Sequence, residues 1–198
     1  MSAKKQVKDF NPAWLRVRAS SQPKQKRRAT TAPTASPWPL QSQCTAFYGD
    51  PRGGKDFNPA WLKANIVHVL CPWPLFFGKT AMPFISIHRK CAASLTRVLN
   101  SIYLAVDKDN SKIKALKYDQ FSGSIAYRPM RGSTAISMHE FGCAVDFDDA
   151  DNQFHATKHL FQDDSLIVVK FKAERWVWGG DWTPGSVDAM HFQASRVR

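Results

Sequence analysis

Two short segments in the C-terminal third contain side chains that could bind a metal ion and activate a water molecule. The first reads SMHEFGCAVD and includes His139 and Asp146, and the second reads DAMH and includes Asp188 and His191. Two imidazoles and one carboxylate give three nitrogen or oxygen ligands, which leaves the fourth position of a tetrahedral zinc ion open, as in catalytic zinc sites. Asp188 adds a carboxylate that could act as a general base. The donor set predicts hydrolysis by a zinc-activated water.

Other patterns in the chain fit catalytic or metal sites less well. His155 and His159 stand four residues apart, but the glutamate of an H-E-x-x-H motif is absent, so we expect surface residues. The acidic run 146–152 lacks the glycine and the glutamate that a calcium loop needs, and it predicts a solvated turn. No G-x-S-x-G occurs, and two S-x-x-K segments lack a companion K-T-G, which argues against a serine nucleophile.

The chain has four cysteines and no C-x-x-C pair, so neither a thiol zinc site nor a redox motif is supported. Without an export signal these thiols are expected to be reduced. Cys143 lies close to the ligand candidate Asp146 in the sequence. A strand through this segment would point the two side chains to opposite faces, which favours a packed thiol over a ligand.

The positive charge of the chain is concentrated at its N-terminus. Residues 1–37 contain nine Lys or Arg and one Asp, so they carry +8 of the net charge of +12. This segment is rich in Ser, Thr, Gln and Pro, which predicts a flexible basic arm at 1–37 followed by one domain at 38–198. A solvated extension is the favoured interpretation. Contact with an anionic polymer or lipid is the alternative, and no specific nucleic-acid partner is expected.

The octapeptide KDFNPAWL occurs twice, at 8–15 and again at 55–62. In the second copy Asn58 can cap a short helix with Pro59 at its first position, and an apolar strand at 66–70 follows. The first copy leads into the polar, basic stretch. We therefore interpret the first copy as a duplicated fragment outside the fold.

The remaining elements predict an α+β domain with a small antiparallel sheet and flanking helices. Helix 88–106 has a core-facing stripe formed by Leu95, Val98, Leu99, Ile102 and Val106. A helical piece is predicted at 111–118, and another helix is predicted to end near 173. Strands are predicted at 84–87, 123–128, 143–147 and 190–192, and on both sides of Gly179-Gly180.

The N-terminus lacks the uninterrupted apolar stretch of a secretory signal, and the longest apolar run is too short to span a bilayer. The sequence therefore predicts synthesis in the cytoplasm without a signal peptide.

The motifs together resemble a known family. The pattern S-x-H-x-x-G-x-A-x-D, followed by W-x-W-G-G-D-W and D-x-M-H-F, is similar to the D-alanyl-D-alanine peptidases and VanY-type zinc peptidases. Within them it most resembles the phage endolysins that cut the L-alanyl-D-glutamate bond of bacterial peptidoglycan. The resemblance runs from Trp38 to the C-terminus. It implies the hedgehog/D-Ala-D-Ala peptidase-like zinc peptidase fold.

The resemblance also implies roles for individual residues. Zn2+ would be held by His139, Asp146 and His191, with Asp188 as the catalytic base. Arg128 would hold a carboxylate or polarise the scissile carbonyl, as its planar fork allows. The expected substrate contacts are Ser137, Arg131 as the substitute for Arg128, and Trp178 and Trp182 beside the glycine pair.

The chain departs from the family pattern at two positions near these motifs. Gln193 stands where the closing motif often has Glu, which would weaken the contact that orients His191. Arg175 stands where a helix-ending glycine would be comfortable.

Four functions remain open at this point. The first is a monomeric zinc endopeptidase that acts on peptidoglycan stem peptides in the periplasm or outside the cell. Within the same chemistry, a D-alanyl-D-alanine carboxypeptidase is the alternative. A zinc-containing cell-wall binding module without turnover is the third, and the presence of Asp188 argues against it. A nucleic-acid binder that depends on the basic arm is the fourth, and its binding would weaken steeply with salt.

Overall fold

The computed structural model describes residues 35–130 and 133–197. The first KDFNPAWL copy, nearly all of the basic arm and Arg131 lie outside these residues, so the domain boundary at 37/38 stays a prediction. The helices are α1 Cys44–Tyr48, α2 Pro59–Asn65, α3 Arg89–Ala105, α4 Asn110–Ala115 and α5 Leu166–Ala173. The strands are β1 Ile66–Phe77, β2 Thr80–His88, β3 Phe121–Gly123, β4 Ala144–Phe147, β5 Val177–Trp178 and β6 His191–Gln193.

Two antiparallel sheets form the β part of the fold. β1 and β2 form a long hairpin, and the other four strands form a sheet in the order β3-β4-β6-β5. The pairing of the hairpin shifts between Leu70 and Leu75, around Pro72 and Pro74, because proline has no N–H to donate to a ladder. Helices flank these sheets, so the predicted α+β class is confirmed.

Helix α3 supplies one wall of the hydrophobic core. All five residues of its predicted apolar stripe are buried. The helix packs against β1 and α5. On α5, the Phe171 ring stacks on Phe192 of β6 with ring centroids 4.2 Å apart. The core therefore holds the back of β6, and the other face of that strand is left for the site.

The second KDFNPAWL copy forms the predicted capped helix. The Asn58 side chain accepts hydrogen bonds from the backbone N–H groups of Ala60 and Trp61, and Pro59 is the first residue of α2. The Trp61 indole then donates to the Tyr48 carbonyl at 2.9 Å. This copy is part of the fold because its cap and its tryptophan both find partners.

Two predicted strands differ from the structure. The strand at 123–128 is wrong beyond Gly123, because the chain leaves the sheet there and the Ser124 carbonyl pairs with the His139 ring instead. Only β5 flanks the glycine pair, since Gly179–Asp181 forms a 3-10 helix. Arg175 does adopt the left-handed conformation suspected from its position, with φ +62° at the end of α5.

Within the part of the chain that the structure describes, no helix combines the length and apolarity needed to cross a bilayer.

Candidate metal and active site

The pairing of β4 with β6 brings two of the predicted ligands together. In this antiparallel ladder Asp146 lies directly opposite His191. Side chains of directly opposed residues point to the same face of a sheet and start about 4.5–5.5 Å apart. Two ligands that are 45 residues apart in sequence therefore become neighbours through backbone hydrogen bonds alone.

The third ligand candidate, His139, is held by a tight turn that precedes β4. The Ser137 hydroxyl accepts the backbone N–H of Glu140, and the Gly142 N–H donates to the His139 carbonyl. Gly142 has φ +63°, and a Cβ there would lie 2.8 Å from the side chains of Ile66 and Ile125. Glycine is needed for both reasons, since most other residues avoid this conformation and none would fit the space.

The three side chains converge on one point. His139 Nε2 lies 3.1 Å from His191 Nδ1 and 3.2 Å from Asp146 Oδ2. His191 Nδ1 lies 2.9 Å from Asp146 Oδ1. Ligand atoms around a tetrahedral zinc ion with bonds of about 2.0–2.1 Å are roughly 3.4 Å apart, which is close to these separations. Among the described residues, this is the one group of three or more His, Cys, Asp or Glu whose ligand atoms are all within 4.8 Å of one another.

The outer nitrogen of each ring has an acceptor, so in a neutral ring the inner nitrogen presents a lone pair. His139 Nδ1 must donate to the Ser124 carbonyl at 3.1 Å, because that oxygen can only accept. His191 Nε2 donates to Gln193 Oε1 at 3.0 Å. In the neutral rings, two nitrogen lone pairs and a carboxylate then face each other, and this arrangement is repulsive unless a cation lies among them. The donor set therefore fits a divalent metal such as zinc.

Gln193 does contact His191, with its Oε1 at 3.0 Å from His191 Nε2. The Gln193 amide nitrogen donates to the carbonyl and the hydroxyl of Ser195, at 3.0 and 2.9 Å. These two bonds fix the amide so that its oxygen faces His191. A neutral amide thus supplies the acceptor that a glutamate would supply.

The pKa values of Asp146 and His191 are both shifted within the metal-ligand cluster, which consists of His139, Asp146 and His191. Burial raises the pKa of the Asp146 carboxyl, but the charge and hydrogen bonds of His139 and His191 outweigh it and hold that pKa far below its usual range. Burial lowers the pKa of His191, but Asp146 outweighs it, with help from Asp188, and the net direction is upward. Both directions are those of a carboxylate and an imidazole that stabilise each other's charged forms.

A cavity of about 670 Å³ opens beside these ligands. This volume is within the range of about 300–1,000 Å³ that small-ligand pockets occupy. His139, His191 and Asp188 line it, together with Arg128 and other residues named below. Two of the three ligand candidates are thus accessible from a space large enough for a short peptide segment.

Asp188 reaches the cavity because a glycine lets its backbone approach β5. The Asp188 N–H donates to the Gly179 carbonyl at 3.0 Å, and a Cβ on Gly179 would lie 2.3 Å from the Asp188 carbonyl oxygen. The Asp188 carbonyl in turn accepts the N–H of His191. The candidate base and the ligand are therefore fixed to each other by main-chain bonds.

The comparisons with known proteins bear on the segment just described. The model of the D-alanyl-D-alanine carboxypeptidase family matches residues 131–194, which include all three ligand candidates and Asp188. This match supports the interpretation of the protein as a peptidase. No curated protein and no solved structure matches the chain.

The remaining predicted substrate contacts differ in whether they line the cavity. Arg128, Ser137 and Trp182 line the cavity, and the Trp182 and His191 ring centroids are 5.3 Å apart. Trp178 is not among the residues that line it, and its predicted substrate contact stays a prediction. Its ring is buried and its N–H donates to the Ala189 carbonyl at 2.7 Å. Arg131 lies outside the described residues.

The competing histidine pair gains no support from the local conformation. His155 and His159 lie in a segment of turns and bends, so their spacing does not place them on one face of a helix. The prediction of a solvated turn at 146–152 is confirmed only for residues 149–151, because Asp146 and Phe147 belong to β4 and Asp148 and Asn152 are buried.

Sequence reasoning missed three residues around the site. Glu140, inside the first motif, is fully buried and forms a bidentate pair with Arg52 at 2.6 and 3.1 Å. Gln41 and Arg196 also line the cavity. A charged residue between the ligand candidate His139 and the apolar Phe141 was the available signal for the first. No motif marks the other two.

Proposed function

We propose that this protein is a zinc-dependent peptidoglycan hydrolase that cuts stem peptides, with the L-alanyl-D-glutamate bond as the target. The observation that carries the proposal is the convergence of three lone-pair donors at 2.9–3.2 Å beside a cavity that also contains a carboxylate and an arginine. The proposed partner is cell-wall peptidoglycan, in the periplasm or outside the cell.

The metal would be held by His139, Asp146 and His191. When bound, zinc supplies a Lewis acid and lowers the pKa of a water molecule to about 7. The chain's own contribution is to keep both rings correctly turned, since Ser124 and Gln193 accept hydrogen bonds from their outer nitrogens. Protonation of either ring would remove a ligand, so activity should require neutral imidazoles.

Asp188 would move the proton in this reaction. A carboxylate beside the ligands can take a proton from the attacking water and pass it to the leaving nitrogen, which would otherwise depart as an unstable amide anion. Arg128 would donate hydrogen bonds to the scissile carbonyl oxygen as negative charge develops there. Trp182 would provide an apolar wall next to His191.

A D-alanyl-D-alanine carboxypeptidase is the second candidate, and the description of the matching family favours it. Both reactions need the same ligands and base. The endopeptidase reaction needs a cavity that accepts peptide chain on both sides of the scissile bond. The carboxypeptidase reaction needs room for only one residue on the leaving side.

Digestion of purified peptidoglycan, followed by mass spectrometry of the products, tests the proposal. New amino-terminal D-glutamate is the expected result, and release of free D-alanine would establish the carboxypeptidase instead. A metal chelator and the Asp188→Asn variant are the controls, and both should prevent product formation. Zinc-loaded, folded protein that gives no new termini would overturn the hydrolase proposal.

A further inference from the structure

We infer that Arg196 is a specificity-determining residue that binds the free α-carboxylate of the residue on the leaving side of the scissile bond. This inference rests on the proposed function and adds the substrate chemistry that the cavity selects. Arg196 follows the second motif and was not predicted from the sequence as a metal ligand, a catalytic residue or a substrate contact.

The charges that line the cavity point to an anionic ligand. Asp181 is paired with Lys172 at 2.8 Å, which also pairs with Asp163, and Asp188 is the proposed base. Arg52 and Arg97 form ion pairs with glutamates elsewhere in the fold. By contrast, neither Arg128 nor Arg196 forms an ion pair with any carboxylate of residues 35–130 and 133–197. The cavity therefore contains two half-buried guanidinium groups that could pair with a negatively charged ligand.

Arg196 is held firmly in place. Its Nε donates to the Trp38 carbonyl at 3.0 Å, and its backbone N–H donates to the Pro39 carbonyl at 2.8 Å. Its own carbonyl accepts the N–H of Gln41 at 2.8 Å. The main chain and Nε are thus fixed, and the two terminal nitrogens are left for a ligand. A guanidinium whose orientation is already set loses little entropy when it binds a planar carboxylate.

A chain of contacts connects this arginine to the metal ligands. Gln41, bonded to Arg196 through the backbone, points its amide nitrogen at Gln193 Oε1 at 3.5 Å. That same oxygen accepts the hydrogen bond from His191. The Arg196 end of the cavity therefore adjoins the reacting centre.

The two candidate substrates share the group that Arg196 would recognise. In the carboxypeptidase reaction, the leaving D-alanine carries a free α-carboxylate on the carbon next to the leaving nitrogen. In the endopeptidase reaction, the leaving D-glutamate is linked onward through its side chain, so its α-carboxylate is free at the same place. Arg196 would bind this carboxylate, and Arg128 would then be available for the scissile carbonyl.

The test compares paired peptides that differ only at this carboxylate, as free acid or as amide. The pair is chosen according to the bond that the wild-type protein cuts. The leaving residue is D-glutamate in one pair and terminal D-alanine in the other. Wild-type protein should prefer the acid by about 10- to 100-fold in kcat/KM, as expected for a hydrogen bond to a charged group. Arg196→Gln should abolish the preference by slowing cleavage of the acid and leaving the amide unchanged.

The ratio of acid to amide is measured within each variant, so a change in stability does not affect it. Arg89→Gln removes the same charge from an exposed position on α3 and should keep the wild-type ratio. Isothermal titration with the two peptides provides a readout independent of turnover, and the acid should bind more weakly to Arg196→Gln. An unchanged ratio in Arg196→Gln, or its loss in Arg128→Gln alone, would overturn the inference. If wild-type protein cuts neither peptide, the proposed function fails instead.

Discussion

The metal-ligand cluster and the cavity wall beside it are built in different ways. The cluster is buried, and each of its two histidines has a second partner that fixes its ring, the Ser124 carbonyl for His139 and Gln193 of the same strand for His191. The wall is assembled from loops far apart in sequence, including residues near positions 41, 128, 154, 182 and 196. The first region is specified by strand register and a turn, and the second depends on how separate loops come together.

This difference separates two properties of the proposed enzyme. The cluster determines the kind of chemistry, because its donor set suits a divalent metal ion. The wall determines which peptide is cut. Substitutions in the cluster should therefore act on metal binding and on every substrate equally, whereas those in the wall should act on some substrates and not on others.

The largest expected effect is that of Asp188→Asn, which tests whether the wall contributes to chemistry as well as to recognition. The amide cannot take a proton, so kcat should fall by about 10²–10⁴-fold on any cleaved peptide. Zinc content, measured by atomic emission, should remain about one ion per chain.

Asp181→Asn is the matched control for this variant. Asp181 lines the same cavity, but its carboxylate is paired with Lys172. Its loss should leave kcat within a few-fold of wild type. Equal losses in the two variants would assign the effect of Asp188 to cavity charge in general.

A second prediction concerns His88, which supports the turn beneath the cluster. Its N–H donates to the Gly142 carbonyl at 2.6 Å, its Nδ1 accepts from Lys90, and its Nε2 donates to the Tyr48 carbonyl. Burial, with smaller contributions from the charges of Lys90 and Arg89, lowers the pKa of His88 to about 4 despite the bond to Tyr48. The unfolded chain takes up this proton near its usual pKa of about 6.5.

Because the folded pKa is the lower one, the contribution of His88 is complete above pH 6.5 and is lost as the pH falls towards 4. The free energy of unfolding should decrease by up to about 3 kcal/mol over this range. Urea denaturation at several pH values measures it. In His88→Asn the cap is kept, and the protein should be less stable at neutral pH but lose less on acidification. Parallel pH profiles for the two proteins would contradict the assignment.

The smallest effect is expected for Gln193→Ala, which tests whether the partners of the cluster matter as much as its ligands. His191 Nε2 would lose its acceptor, and zinc affinity, measured by chelator competition, should fall by about 10–100-fold. Gln193→Glu keeps an acceptor and should bind zinc at least as tightly as wild type. If Gln193→Ala retains wild-type affinity, the ring is oriented by packing alone.

The same contrast explains how much could be predicted from the sequence. The α+β class, the core face of α3 and the cap of α2 were predictable because periodicity and capping are local signals. The convergence of His139, Asp146 and His191 was also predictable, since the family pattern records it. The burial of Trp178 was not predictable, because a glycine pair does not reveal which neighbouring ring turns inward.

The wall was the harder part for a physical reason. Arg196 and Gln41 reach the cavity through main-chain bonds between segments that are 155 residues apart. No short motif encodes such an encounter. The strand predicted at 123–128 failed similarly, because a carbonyl that could have joined the ladder bonds to a histidine ring instead.

The opposition of Asp146 and His191 on adjacent strands has a consequence for how the centre can form. Sliding β4 by one position against β6 would turn the aspartate to the opposite side of the sheet and bury a carboxylate against Phe171 and its neighbours. Half-assembled versions of the centre are therefore costly. The three chelating side chains should therefore come together in a single folding step, without a stable intermediate in which only some of them are in place.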